Sequence, residues 1–171
     1  MLKQLHLFVL IMLSITAFAE KKNNFYLFKD ASVVNYSIDF TLFKVNNVPA
    51  KNYLEMKYNL DYDKFKQNFE DIFISSAKSS FESYPIMLTN DQPSDFELTL
   101  TPVSADRDGE HTILCRLQHK PSGTIVSLFK INTNGGDNDA FLEEIMLRIA
   151  KSGMKLSKEL EKIKKKANAV K

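Results

Sequence analysis

Cysteine occurs once in the 171 residues, at Cys115, and glycine and proline only five times each. A single thiol excludes an internal disulfide, so stability has to come from packing, and small disulfide-framed toxins and growth factors are set aside. The few glycines and prolines leave no low-complexity linker and no sign of a second domain. Histidine is scarce: three in all, of which only His111 and His119 lie beyond the first twenty residues. No long apolar run follows those twenty residues, so nothing beyond them is expected to span a bilayer. A P-loop, G-x-x-x-x-G-K-[ST], and a G-x-S-x-G nucleophile elbow are both missing. So is any nucleic-acid reading motif, and nucleic acid is not expected as a partner.

What is present begins with a leader. Lys3 gives a positive start, Leu5 to Leu13 is apolar apart from His6, and Ala17-Phe18-Ala19 places small residues before Glu20. This layout predicts a cleaved secretory signal over residues 1–19, the apolar run being shorter than the roughly 20 residues of a spanning helix. No cysteine stands at the cleavage site to carry a lipid. Residues 20–171 are expected to form one exported domain, periplasmic or secreted, and the lone thiol fits a bacterial envelope better than a eukaryotic secretory route.

The formal net charge of +2 hides an asymmetry. Residues 151–171 hold eight Lys against two Glu, a net of +6; without Lys3 the mature chain is +1, so its remaining body is −5. An acidic body with a basic C-terminal helix is therefore expected.

Val34, Tyr36, Ile38, Phe40 and Leu42 alternate with Asn35, Ser37, Asp39 and Thr41, which predicts a strand. The Asn35-Tyr36-Ser37 glycosylation sequon inside it reads as chance. Asn46-Asn47 turns the chain, and Pro49 opens a short helical turn through Tyr53, Leu54 and Tyr58. Asp61 or Asp63 is expected to cap a longer helix whose face is Tyr62, Phe65, Phe69, Ile72, Phe73, Ala77 and Phe81, ending at Tyr84-Pro85. A short strand over 85–89 and a loop over 90–95 lead to three strands, from Phe96, from Thr112 to Gln118 and from Ile125 to Ile131. The turns 105–110 and 120–124 join these into a meander. A last helix over about 139–164 carries Phe141, Ile145, Ile149, Leu156, Leu160 and Ile163 on one stripe. Gly153 in that stripe costs about 1 kcal/mol against Ala and so marks a close backbone contact. The expected fold is α+β: a mostly antiparallel sheet of four to five strands with two amphipathic helices packed on it.

The stretch from Asn132 to Phe141 (NTNGGDNDAF) looks most like chemistry. Asp137 and Asp139 at the mouth of the helix would repel a phosphate. Asp137, Asn138, Asp139 and Glu143 lack the spacing of a calcium loop. The stretch reads as a joint, Gly135-Gly136 turning the chain and Asp137 or Asp139 capping the helix. Asp106-Arg107-Asp108-Gly109 reads as a hairpin turn rather than a calcium loop. His111 and His119 lie about 27 Å apart on one strand and cannot share a metal, and Cys115 is a core residue about 13 Å from each. No cofactor and no metal is expected. Asp39 is the most conspicuous carboxylate, on the side of its strand away from the apolar face. Lys151, Lys155, Lys158, Lys162 and Lys165 recur at spacings of four, three, four and three, and form a basic edge suited to an anionic surface or an acidic partner.

Ile38-Asp39-Phe40, Lys44-Val45-Asn46-Asn47, the meander, the Gly135-Gly136 joint and Gly153 together resemble a group of uncharacterised exported bacterial α/β proteins. More distantly, the order is similar to the TolB N-terminal domain and the curli-secretion lipoprotein. That resemblance implies docking to other envelope components rather than catalysis, and it transfers no functional residue. The expected function is a non-catalytic binding or assembly module of the cell envelope, using the basic edge or an exposed sheet edge. Two alternatives stand beside it: a small hydrolase or carbohydrate-active enzyme using Asp39 or Asp137 with Glu143, and a calcium-dependent binder.

Overall fold

The first strand, β1 (Val33–Ile38), is shorter than the alternation, which runs on to Leu42. Asp39 marks the end: its carboxylate accepts the Thr41 N–H at 2.9 Å, and a turn closed by Phe43 N–H on the Phe40 carbonyl follows, so Leu42 does not continue the strand. The computed structural model describes residues 24–135 and 141–170. The expected leader, and the caps proposed at Asp137 and Asp139, lie outside the described residues.

A hairpin of two short strands follows, β2 (Lys44–Val45) and β3 (Val48–Pro49). Asn46 and Asn47 both take left-handed backbone, φ 48° and 64°, as a two-residue hairpin loop requires. Pro49 leads into α1 (Ala50–Tyr58), which Asn59 stops in left-handed conformation. Asp61 caps α2 (Tyr62–Lys78), accepting the Asp63 and Lys64 N–H groups at 2.8 and 3.1 Å. Phe65, Phe69, Phe73 and Ala77, each four residues apart, are buried along one face of this helix. Then come β4 (Met87–Leu88), β5 (Phe96–Ala105), β6 (His111–His119), β7 (Thr124–Thr133) and α3 (Phe141–Ala169).

The sheet corrects the expectation of four or five mostly antiparallel strands with two helices. Among the described residues it has seven strands of mixed direction, accompanied by three α-helices. β5, β6 and β7 form the expected antiparallel meander, Phe96 opposite His119 and His111 opposite Thr133. On its other edge β5 takes β1 in parallel, Asn35 to Ile38 against Glu97 to Leu100, and farther along β2, Lys44 against Ser104. β4 adds to β1 in parallel through Val33 and Val34 alone. Parallel pairing of β1 with β4 and β5 follows from the helix between them, which carries the chain back to the same end of the sheet, where a tight turn would have reversed it. Pro102 sits at a register shift between β5 and β6.

Leu98 and Leu100 of β5, with Ile113, Cys115 and Leu117 of β6, are buried under the helices. The opposite face carries Thr99, Thr101, Thr112 and Arg116 beside half-exposed Leu114 and Leu128. α2 and α3 lie against each other over the core. Gly153 is where they touch: a Cβ there would come within 2.2 Å of the Phe73 carbonyl oxygen. The close contact expected of this glycine is thus present. Glu161 ties the two helices again at the end of α2, its carboxylate accepting the Glu82, Ser83 and Tyr84 N–H groups at 2.7, 2.7 and 3.0 Å.

β7 is the outer strand on one side of the sheet, and on the other side β1 is covered only in part, by β4. β7 is blunted. Asn24 donates to the Ile125 carbonyl at 3.2 Å, Lys155 donates to the Asn132 carbonyl at 2.6 Å, and the register shifts between Leu117 and Gln118 opposite its start. A short 3-10 helix (Asn24–Phe28) also lies along it, seated by Phe28 edge-on to Phe96 at 5.1 Å. β1 is less protected: beyond β4 only the Asn90 side chain meets its edge among the described residues, at the Tyr36 N–H.

Candidate functional site

The residues expected to be inert take structural roles. Cys115 is buried, and burial pushes its thiol far above the ordinary range, so it is neither a nucleophile nor a ligand. Asp106 turns the β5–β6 hairpin, accepting the Asp108 and Glu110 N–H groups at 3.0 and 2.9 Å. His111 and His119 stand at opposite ends of β6, as their spacing requires.

His111 has partners that the sequence did not disclose. Nδ1 lies 3.0 Å from the Gly109 carbonyl oxygen, which can only accept, so the proton resides on Nδ1. Nε2 then accepts the Ser152 hydroxyl at 2.8 Å, and Thr133 Oγ1 completes the cluster at 3.0 Å from Nδ1. A serine on a histidine nitrogen is the geometry of an activated nucleophile. Here, however, Ser152 is fully buried, His111 is 3% exposed, and the third partner is a carbonyl where a triad has a carboxylate. The cluster is a satisfied polar contact between the sheet and α3. Burial, and after it the nearby Lys155 and Arg148 cations, hold the imidazole down at about 4, so it is neutral at pH 7.

A concavity lies elsewhere, where β1 runs under α2. A hollow of about 600 Å³ is lined by Ile38, Asp39, Phe40, Tyr62, Lys66 and Glu70 among others. A second, of about 470 Å³, is lined by Tyr36, Glu70, Asp71, Ile74 and Lys78 among others. Glu70 lines both, so the two hollows adjoin at this residue. Tyr36, Ile38 and Phe40 are half-buried along the floor. Burial first, and then the Glu70 carboxylate that accepts its hydroxyl, raise the Tyr36 phenol above its ordinary value.

Asp39 faces solvent on this rim, as its place in the alternation predicts. The Thr41 hydroxyl and backbone N–H hold its carboxyl below the ordinary value. Lys66, 2.6 Å away, does the same for Asp63. A glycosidase pair needs one carboxyl kept protonated as an acid. These two are instead held ionised, which suits them to accepting hydrogen bonds and cations. Asp137, the other half of the alternative pair with Glu143, lies outside the described residues.

All five lysines of the expected basic edge are exposed on α3. Lys151, Lys158 and Lys165 have no partner among the described residues, whereas Lys162 pairs with Glu159 at 2.6 Å and Lys155 caps the Asn132 carbonyl. The neighbouring Lys164 and Lys166 do not join the row. Lys164 donates to the Ala31 carbonyl and lies over the Phe28 ring, and Lys166 lies 5.1 Å from the centroid of Phe25. Among the described residues no helix is long and apolar enough to cross a membrane.

The chain therefore falls in the class of α+β domains with helices packed on one face of a mixed sheet. No family model and no curated protein matches it. Among solved structures it is similar to a neuraminyllactose-binding hemagglutinin homolog from Helicobacter pylori, with TM-score 0.48 and 14% identity over 84% of this chain and 93% of that one. A protein of the DUF330 family from Xanthomonas campestris gives TM-score 0.44 and 11% identity over 77% and 81%. The PelC dodecamer from Paraburkholderia phytofirmans gives 0.41 and 12% over 72% and 87%. All three are bacterial, and none is a TolB or curli-secretion domain. Likeness at this level assigns no activity, ligand or partner to the present chain.

Proposed function

We propose that this chain is an exported, non-catalytic binding module of a bacterial envelope, and that the lysine row of α3 docks it to an anionic surface. The narrower resemblance to TolB-like and curli-secretion-like docking domains belongs to this proposal. The observation that carries it is the row itself: Lys151, Lys155, Lys158, Lys162 and Lys165 are all exposed on one side of a 29-residue helix. From first to last the row extends about 21 Å at about 1.5 Å per residue. The helix is held along this length by Gly153 and Glu161, so the Cα positions that carry the lysines are fixed in line before contact. A lysine brought against an anionic headgroup layer contributes about 1 kcal/mol, and the attraction fades within a Debye length of about 8 Å at physiological salt.

Co-sedimentation with vesicles containing about one-third phosphatidylglycerol, against pure phosphatidylcholine, tests this reading. The variant reverses Lys151, Lys158 and Lys165 to Glu, leaving Lys155 and Lys162 in their hydrogen bonds. The expected outcome is salt-sensitive binding to anionic vesicles alone, weakened about 100-fold or more in the variant. Equal binding by variant and native chain, or none by either, would remove the row from consideration.

A further inference from the structure

β1 leaves part of its outer edge unpaired beside the groove under α2. Asp39 N–H reaches the Leu100 carbonyl at 2.8 Å, so the odd-numbered residues Asn35, Ser37 and Asp39 aim their backbone groups at β5. The even-numbered residues aim theirs the other way. Of these, Val34 is used by β4, its carbonyl accepting the Thr89 N–H at 3.1 Å. The Tyr36 N–H is stopped by the Asn90 side chain at 3.0 Å. From there on, the Tyr36 carbonyl, both backbone groups of Ile38 and the Phe40 N–H have no partner among the described residues. Four backbone groups are thus vacant along the end of β1 and the two residues after it, beside a groove that their side chains floor. The blunted edge of β7 shows by contrast how this fold closes an edge.

The groove also has a charge. Asp39, Asp63, Glu70 and Asp71 line it with two lysines, Lys66 and Lys78, and Lys66 is held by Asp63. The surplus is acidic: Glu70 lines both hollows, and Asp71 beside it in sequence lines the second. A strand laid on β1 would set alternate side chains onto Tyr36, Ile38 and Phe40, and a cation on such a chain would meet Glu70 and Asp71.

We propose that the groove between β1 and α2 accepts an extended segment of a partner protein as an added strand, one with alternating apolar side chains and a central Arg or Lys. Main-chain hydrogen bonds to Tyr36, Ile38 and Phe40 supply the affinity. The Glu70–Asp71 charge and the aromatic floor select the sequence. The lysine row lies on another element, and neither site depends on the other.

The test uses the protein as its host processes it, with a synthetic peptide of about ten residues alternating Ile and Thr around a central Arg, and a second with Glu in place of Arg. Amide hydrogen exchange is followed residue by residue, with affinity from fluorescence anisotropy. The expected outcome is protection of the Ile38 and Phe40 amides by the Arg peptide. Affinity should fall about tenfold for the Glu peptide, and about as much for the Arg peptide on a chain carrying Glu70→Gln and Asp71→Lys, the glutamine keeping an acceptor for the Tyr36 hydroxyl. Unchanged exchange at Ile38 and Phe40 under saturating peptide would overturn the proposal. So would protection of the same amides without peptide that grows with protein concentration, since the occupant would then be a second copy of this chain.

Discussion

Replacing Gly153 by alanine adds one methyl group where α2 and α3 touch. The new carbon would stand 2.2 Å from the Phe73 carbonyl oxygen, 2.9 Å from Ser76 Cβ and 3.0 Å from the Ala77 nitrogen. Two of the three are backbone atoms inside a helix, so no side chain can swing away, and the helices must part by about 1 Å to restore ordinary contact. That loosens Phe69 and Phe73 on one side and Ile149 and Leu156 on the other, all buried. Overpacking of this kind costs about 1–3 kcal/mol and occasionally more. The intrinsic helix preference for alanine returns about 1 kcal/mol and sets a lower bound near zero. The direct clash with backbone places the site at the costly end, with a net loss of about 2 kcal/mol or more. For a domain of this size that lowers Tm by roughly 4–8 °C. Gly123→Ala is the control: it has open space around it and only a left-handed backbone, φ 67°, to strain, a cost of about 1 kcal/mol. Urea midpoints at constant m and calorimetric Tm values measure both. A Gly153→Ala chain as stable as the native one, or more stable than Gly123→Ala, would refute the argument that backbone contact fixes this residue.

Stability should also fall on acidification through His111. Its folded-state value of about 4 lies below the ordinary 6.5, so the unfolded chain takes up the proton first. The full stability is present above pH 6.5 and is lost as pH falls toward 4, by up to about 3 kcal/mol. In His111→Gln the slope of the urea midpoint across that window should flatten, and an unchanged slope would assign the effect to other groups. Glu161→Ala should release the Glu82–Tyr84 segment from α3, leaving three N–H groups to water, at a cost of about 1–2 kcal/mol. Glu161→Gln, which keeps an acceptor, should cost less, and faster amide exchange at residues 82–84 in the alanine variant is the readout that checks it.

Much of the fold could be read from local patterns. The Phe65-Phe69-Phe73-Ala77 stripe, the Asp61 cap, the Asn46-Asn47 turn and the three meander strands each depend on residues close in sequence, and each is where the pattern puts it. The direction of β1 was not readable. Its partners Glu97 to Leu100 lie about sixty residues away, and alternation is the same for parallel and antiparallel strands. β2, β3 and β4, of two residues each, are too short to carry a period at all. The lysine row was legible because helical spacing alone fixes a surface stripe. That Lys155 reaches the Asn132 carbonyl was not, since the spacing says nothing of where β7 ends. The groove was hidden for the same reason. Tyr36, Ile38 and Phe40 read as ordinary core positions, and only the early stop of β4 leaves their backbone open.

The unequal treatment of the two sheet edges sets a limit on self-association. A chain with two usable edges can add neighbours at both ends and grow without stopping. Here the β7 edge is closed by Asn24, Lys155 and the register shift, which leaves the stretch of β1 beyond β4 as the acceptor. Pairing of β1 with β1 of another copy would be isologous, related by a two-fold axis, and would consume both open edges at once. Whatever occupies that edge, assembly through it terminates after one step. The side chains that blunt β7 therefore act as a valence limit, separating a reversible strand-accepting protein from one that would extend into fibres.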